Sequence, residues 1–206
     1  MANVALENIE DYSNLILRKT HVITMWDRQR RLLDFYNLTG QMFIGLAKTS
    51  PWTDSEDPDI SDTYPPVPDE KATELQELIG MQRIQWKKFA KPYVNPTTAE
   101  KNADGVVYYK GLYYQTYNDV EEALANDCTS VLILMTSDRD QYFPVGVSYR
   151  QVGLFVEVGS TNRYLDNEEY QALSPENKGH LACIENFSPI TRQLDQEEKH
   201  YILIDF

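Results

Sequence analysis

The sequence predicts a mainly β protein of the α+β class, a layered β-sandwich with helices in the connecting loops. Three observations support this prediction. Short apolar or alternating runs of strand length recur along the chain, from 41–48 to 199–206. Helical periodicity is confined to a few stretches that do not alternate regularly with the strands, which disfavours a doubly wound sheet. Tyrosine is abundant, with 14 in 206 residues, and its ring suits strand faces and contact surfaces.

The first part of the chain predicts a helix, a strand and a loop. Residues 24–36 have helical periodicity, with Leu32 on the apolar face and Arg28 among the arginines that face water. The run 41–48 is short and apolar, as in a strand. Residues 49–68 hold five prolines and five acidic residues, which predicts a long loop without regular structure.

The next segment predicts a second helix and a strand. Asp69 is suited to cap a helix over 72–79, and Gly80 stands where a helix terminator is expected. Residues 81–89 alternate as one strand, and the stretch 91–105 is expected to be a linker or turn region, a candidate point of insertion.

The second half of the chain predicts most of the remaining strands. A hairpin is expected over 106–117, turning at Lys110-Gly111, followed by a short helix capped by Asn118. Residues 147–158 alternate so that Val152 and Val158 fall on one face. The other strands are expected at 130–135, where the run is apolar throughout and therefore central, at 181–188 and at 199–206.

Charge and composition exclude several classes of function. The formal net charge of −13 argues against binding to nucleic acid or to an anionic membrane surface, since both require basic residues. No apolar run approaches the roughly 20 residues that span a bilayer, and the N-terminus lacks a signal-peptide pattern. A soluble protein made in a cytosol is expected. Cys128 and Cys183 are interpreted as small buried apolar residues rather than a disulfide scaffold, although a disulfide between them stays open.

The sequence offers almost no catalytic or metal-binding pattern, so no catalytic residue, cofactor or metal ligand is predicted. The three histidines (His21, His180 and His200) lie in unrelated segments, without metal-ligand spacing. The sharpest cluster of acids lies within 54–62. It could form a calcium cage, but it lacks the turn glycine and closing glutamate of a helix-loop-helix site, so a solvated or partner-facing loop is preferred. The pairs Glu168-Glu169 and Glu197-Glu198 are interpreted as solvated faces.

A small basic strip stands within 81–99, a stretch that contains no acidic residue. Lys87, Lys88 and Lys91 lie there beside Trp86 and Phe89. The strip is either the solvent-facing side of a strand, the preferred interpretation, or a docking patch for an acidic partner.

Five segments, in this order, resemble the baseplate wedge protein of T-even phages called gene product eight. The first ends in Phe-Tyr-Asn after a helix, the second runs from a strand into Ser-Pro-Trp and an acidic stretch, and the third passes from a predicted helix through glycine into a strand. The fourth contains Tyr-Arg-Gln before an apolar strand, and the fifth is the apolar C-terminal strand with its preceding acids. They are RQRRLLDFYN (28–37), MFIGLAKTSPWTDSEDPD (42–59), ATELQELIGMQRIQWKKFAKPYV (72–94), SYRQVGLF (148–155) and SPITRQLDQEEKHYILIDF (188–206).

This resemblance implies a non-enzymatic structural subunit of the tail baseplate wedge in a contractile-tailed phage. It implies a homodimer in the virion, synthesised in the host bacterial cytoplasm, with other wedge subunits and tail-fibre proteins as partners. The T-even protein is considerably longer, so 1–206 is expected to be a single wedge domain in which 95–147 replaces a large central insertion. The alternatives are a tail-tip carbohydrate or peptidoglycan hydrolase and a tail-fibre adaptor.

The same segments nominate residues for interfaces with partners. Pro51 and Trp52 form a rigid corner that either anchors a partner or plugs the chain's own core, and both interpretations stay open. The C-terminal strand either closes a sheet of its own chain or adds to a neighbour's edge. The full set of interface candidates is Pro51, Trp52, Asp54, Glu56, Asp57, Trp86, Phe89, Arg150, Gln151, Asp195, Gln196 and Phe206.

Overall fold

The computed structural model describes residues 22–53, 57–137, 143–193 and 197–206. Within these ranges, ten antiparallel strands form two five-stranded sheets. The first sheet has the order β8-β2-β1-β7-β9, with β1 at Gln41–Ala47, β2 at Gly80–Arg83, β7 at Ser148–Val158, β8 at Tyr164–Asp166 and β9 at His180–Thr191. The second has the order β10-β6-β3-β5-β4, with β3 at Trp86–Pro92, β4 at Val106–Tyr109, β5 at Leu112–Tyr117, β6 at Ser130–Ser137 and β10 at Glu198–Asp205.

In the described ranges one helix precedes β1 and the other helices lie in connections between strands. The helices are α1 at Met25–Tyr36, α2 at Thr98–Lys101, α3 at Val120–Ala125 and α4 at Asn167–Gln171, with a 3₁₀ turn at Pro175–Asn177. None of the helices in the described ranges is both long and apolar enough to cross a membrane. The predicted β-sandwich with helices in its loops is therefore confirmed.

The main core lies between the two sheets. It combines one face of β1 and β7 with one face of β6 and β10, and α1 adds Leu32. The strand predicted at 130–135 is confirmed as an interior strand, since β6 pairs with β10 on one side and with β3 on the other. The outer face of the first sheet carries a second cluster around Phe155 and Leu165.

The second sheet curls strongly. Its end strands, β4 and β10, are separated by three other strands, each step being about 4.8 Å. The rings of Tyr109 in β4 and Tyr201 in β10 nevertheless have centroids 6.3 Å apart. The outer face of this sheet is therefore concave, and Leu132 is fully buried there.

The helix predicted over 72–79 is wrong. The segment is irregular, because its backbone groups form hydrogen bonds with the end of β1 and the next residues instead of the bonds of a helix. Lys48 N donates to Gln76 O at 2.7 Å, and Ile79 N donates to Leu46 O at 2.9 Å. Leu75 packs onto Gly153, where an added Cβ would lie 2.7 Å from a Leu75 methyl group. Asp69 forms a local turn, with its Oδ1 accepting from Lys71 N at 2.9 Å, and Gly80 opens β2 instead of ending a helix.

The single strand predicted at 81–89 is two strands in different sheets. Ile84 N donates to Met42 O in the first sheet at 3.0 Å, whereas the next residue, Gln85, donates through its N–H to Leu134 O in the second sheet at 2.7 Å. Consecutive N–H groups of an extended chain point in opposite directions, so one peptide step carries the chain from sheet to sheet.

Three smaller predictions also need correction. The N-cap of α3 is Asp119, not Asn118, and its carboxylate accepts from Glu122 N at 2.9 Å. Val158 lies on the opposite face from Val152, because the pairing of β7 with β1 shifts near Glu157, whose φ is +58°. Arg28 is partly buried instead of fully exposed to water, and its Nη1 donates to Phe206 O at 2.7 Å.

The hairpin turn at Lys110-Gly111 is confirmed. Both residues have positive φ, +46° and +87°, as a two-residue type I′ turn requires. The strands at 181–188 and 199–206 are also confirmed, as parts of β9 and β10, and the stretch predicted as a linker contains α2.

Candidate interaction surface

A clamp formed by Arg150, Glu77 and Gln151 holds the described parts of loop 49–68 against the first sheet. Arg150 of β7 is 7% exposed, and its guanidinium donates through Nε and Nη2 to the two carboxylate oxygens of Asp62, at 2.6 and 2.8 Å. Its Nη1 donates to Thr49 O at 2.6 Å. This paired geometry matches the guanidinium fork to the carboxylate. The Arg150 hydrogen bonds, assisted by Trp52 N–H, lower the pKa of Asp62 to about 2.

Glu77 holds the start of the same loop. Its carboxylate accepts from the N–H groups of Thr49 and Ser50 at 2.9 and 2.8 Å, and from both of their hydroxyl groups. Lys48 Nζ donates to it at 2.9 Å. The Ser50 hydroxyl, followed by Lys48, holds the pKa of Glu77 far below its ordinary value. Glu77 itself has φ +50°, a left-handed conformation that interrupts a helix.

Trp52 is packed inside its own chain, where it is 4% exposed. Its indole Nε1 donates to Phe187 O of β9 at 3.1 Å, and Lys48 Nζ lies 5.4 Å from the ring centroid. Pro51, by contrast, is exposed. The interpretation of Trp52 as a plug of its own core is the one this packing supports.

A chain of amide hydrogen bonds fixes the far end of the loop. Gln151, 1% exposed, accepts from Gln76 N at 2.8 Å and donates to Asn186 Oδ1 at 2.9 Å. Asn186 in turn donates to Pro66 O at 2.9 Å. Because buried polar groups are costly unless paired, this chain of bonds stabilises one position of the loop.

The acidic cluster of the loop is only partly within the described residues. Asp57 and Asp59 are exposed, Asp62 is bound by Arg150, and Asp54 and Glu56 lie outside the described ranges. In the described ranges, no group of three or more histidine, cysteine, aspartate or glutamate side chains is placed to hold a metal ion.

The basic strip is divided between two faces of β3. Phe89 is fully buried and stacks on Tyr36, with ring centroids 3.9 Å apart, and Lys87 on the same face donates to Tyr36 O. Lys87 is half-buried, and this burial lowers its pKa. Lys88 lies on the other face, 5.1 Å from the Trp86 ring centroid. The interpretation of the strip as one solvent-facing side is therefore wrong.

The C-terminal strand closes a sheet of its own chain. All eight residues of β10 pair with β6 without a register shift. Phe206 N donates to Thr129 O at 3.0 Å, and the Phe206 ring lies 5.5 Å from that of Phe35 in α1. Asp195 and Gln196 lie outside the described residues.

The comparisons with known proteins assign the family. A family model described as "Baseplate wedge 3 tail fiber network component" matches residues 27–206. The chain belongs to this family. Its role is accordingly structural, as a component of the phage tail baseplate. A search of curated proteins gives no significant match.

The sequence candidates of this baseplate wedge component differ in what they expose. Pro51 and Asp57 are exposed, and Trp86 and Phe206 are partly exposed. The remaining described candidates are buried, namely Trp52, Phe89, Arg150 and Gln151. The buried candidates contact loop 49–68 or the core of their own chain. The assignment of the full set of candidates to interfaces with partners stays a prediction.

One polar cluster of this wedge component escaped the sequence analysis. Glu198, interpreted there as solvated, is largely buried between the sheets, with its side chain 14% exposed. Tyr149 donates to Glu198 Oε2 at 3.3 Å, and His200 Nε2 lies 3.5 Å from the same oxygen. The His200 contact lowers the pKa of Glu198, and burial raises that of Tyr149. The spacing of these residues in the sequence does not predict the cluster, because Tyr149 lies in the first sheet and Glu198 and His200 lie in the second.

The end of the β4–β5 hairpin of this wedge component carries an exposed apolar surface that was not among the residues predicted from sequence. Val94, Tyr108 and Leu112 are 76%, 60% and 56% exposed. A groove of about 450 Å³ lies beside them, between the hairpin turn and the turn after β3. The available signal was the run of tyrosines on both sides of Lys110-Gly111, a composition typical of contact surfaces.

Proposed function

We propose that this baseplate wedge component contributes to baseplate assembly through protein–protein contacts with other wedge subunits and with tail-fibre proteins. The family match over 27–206 is the observation that carries this proposal. The described parts of loop 49–68 support it, because Arg150, Glu77 and Gln151 hold them against the first sheet, and a preorganised surface loses less entropy on binding.

The proposal includes a more specific assignment. The chain acts as a homodimer in a contractile tail and is a shortened relative of gene product eight, in which 95–147 replaces the large insertion. The five ordered segments of the sequence support this relationship. In the present chain, 1–206 then forms a single wedge domain.

The test is the mass of the purified chain in solution, measured by light scattering, alone and with each purified baseplate protein of the same phage. We expect the mass of a dimer alone and a larger complex of defined mass with at least one wedge protein. A monomer that binds no baseplate protein would refute the proposed function. A monomer that still forms the complex would refute only the dimer.

The proposed function has no catalytic step. A tail-tip glycosidase needs a general acid whose pKa is raised. In the described residues, every carboxyl group with a resolved shift has a lowered pKa, namely Asp27, Asp62, Glu77, Glu100, Glu176 and Glu198. Such groups are suited to accept hydrogen bonds as anions. Under the proposed structural role, purified chain incubated with host peptidoglycan should release no reducing sugar.

A further inference from the structure

The groove at the end of the β4–β5 hairpin has an apolar wall that solvent reaches. Residues 92–96 line one side, and Gly111, Leu112 and Tyr113 line the other. Leu112 and Val94 are 56% and 76% exposed, and Tyr108 continues the apolar surface beside Tyr113, with ring centroids 4.9 Å apart. A contiguous exposed apolar surface beside a groove is a common feature of binding sites.

The groove also carries a cation, Lys101. Lys101 lies in its wall with Nζ 5.3 Å from the Tyr113 ring centroid, and no carboxylate of the described ranges lies within ion-pair distance. The adjacent Glu100 is already satisfied. It accepts from Thr97 N and Thr97 Oγ1, both at 2.7 Å, and from Tyr93, and these bonds lower its pKa to about 2.

The hairpin that forms the groove is held firmly. Lys110 Nζ donates to Glu185 Oε1 of β9 at 2.8 Å, and the Tyr109 hydroxyl donates to the same oxygen at 3.3 Å. The Tyr109 ring also contacts Tyr201. The turn is thereby tied to both sheets, so a partner binds a preformed surface.

We propose that this groove docks a segment of a neighbouring baseplate protein that carries an apolar side chain next to a carboxylate. The apolar side chain packs against Leu112 and Val94, and the carboxylate pairs with Lys101. Lys101 gives the groove wall a positive charge in a chain of net charge −13, which favours an anionic partner. This inference rests on the proposed function, because it names the kind of partner for one of its contacts.

The test uses overlapping short peptides that cover the other baseplate proteins of the same phage, immobilised and probed with the full chain. Peptides that bind are then titrated in solution by fluorescence anisotropy against two groove variants, Leu112→Asp and Lys101→Glu. The matched controls are Ile190→Asp, since Ile190 is another exposed apolar side chain at 45%, and Lys71→Glu, an exposed lysine in a different segment. Circular dichroism checks that every variant is folded.

We expect the binding peptides to pair an apolar residue with Asp or Glu. Each groove variant should weaken binding at least about tenfold, and each control less than about twofold. A peptide with its carboxylate replaced by lysine should recover affinity for Lys101→Glu. Recovery would identify the direct pairing, which general damage to the fold cannot produce.

Several outcomes overturn the inference. The inference is overturned if the groove variants bind the peptides as strongly as the control variants do. Self-association of the chain that Leu112→Asp abolishes would also overturn it, because the occupant would then be a second copy. If the groove variants join a complex with the other baseplate proteins as wild type does, the groove inference fails and the proposed function stands. If wild type binds none of those proteins, the proposed function itself fails.

Discussion

Replacing Trp52 with alanine distinguishes the two roles that a Pro-Trp corner can have. A tryptophan buries about 150 to 250 Å², and Trp52 is only 4% exposed within its own chain. At roughly 25 cal/mol per Å², the smaller area corresponds to about 4 kcal/mol. A cavity of about 280 Å³ adjoins the ring, and loop 49–68 can settle partly into it. We therefore expect Trp52→Ala to lower the free energy of unfolding by about 3 kcal/mol.

The assay is urea unfolding followed by far-UV circular dichroism, because removing a tryptophan changes the fluorescence signal itself. Trp26→Ala is the matched control, since Trp26 is 71% exposed, and it should change stability by no more than about 0.5 kcal/mol. Trp52→Phe, which mainly loses the indole hydrogen bond to Phe187 O, should cost about 1 kcal/mol. A cost below about 1 kcal/mol for Trp52→Ala, together with lost partner binding, would refute the core role and identify a partner anchor.

Three further predictions concern the clamp, the second sheet and the hairpin. The pKa of Asp62 is lowered from 3.8 to about 2 in the folded chain, so its contribution to stability is present above pH 4 and is lost as the pH falls toward 2. In Arg150→Met this loss should shrink, as acid titrations of both proteins by circular dichroism would show. Leu132→Ala, at a fully buried site, should cost about 3 kcal/mol in urea unfolding, whereas Leu112→Ala should stay within about 0.5 kcal/mol. Gly111→Ala should lower the free energy of unfolding by about 1 kcal/mol, measured as a lower thermal midpoint, because alanine is strained at φ +87°. No atom lies within 4 Å of the added Cβ, so the backbone strain is the whole cost.

Local pattern predicted most strands because each carries its own signal. The apolar run 130–135 became an interior strand, and Lys110-Gly111 supplied the two positive φ values of the hairpin turn. The prediction of a helix over 72–79 was wrong because its periodic leucines serve a tertiary contact. Leu75 packs on Gly153 of β7, and no pattern within 72–79 indicates that contact. Tertiary packing overrode a local preference here.

The clamp was beyond prediction from spacing. Arg150 and Asp62 are separated by 88 residues, and Gln151 and Gln76 by 75. Arg150 and Gln151 were nominated, but as interface residues on the basis of a family resemblance. Their chemistry fits either role equally well in sequence, because a guanidinium fork pairs with a carboxylate of its own chain or of a neighbour. Burial decides which pairing forms, and burial depends on how the first sheet is assembled.

The distribution of charge gives the chain two different surfaces. Residues 57–79 hold seven acidic residues and one lysine, and the clamp keeps Asp57 and Asp59 exposed on a fixed loop. The groove at the end of the β4–β5 hairpin, by contrast, has Lys101 in its wall. The loop with Asp57 and Asp59 suits a basic partner, and the groove with Lys101 suits an acidic one. Two such surfaces would favour different neighbours, since like charges repel the wrong one. A subunit that connects dissimilar proteins, the role proposed above, requires this kind of selectivity.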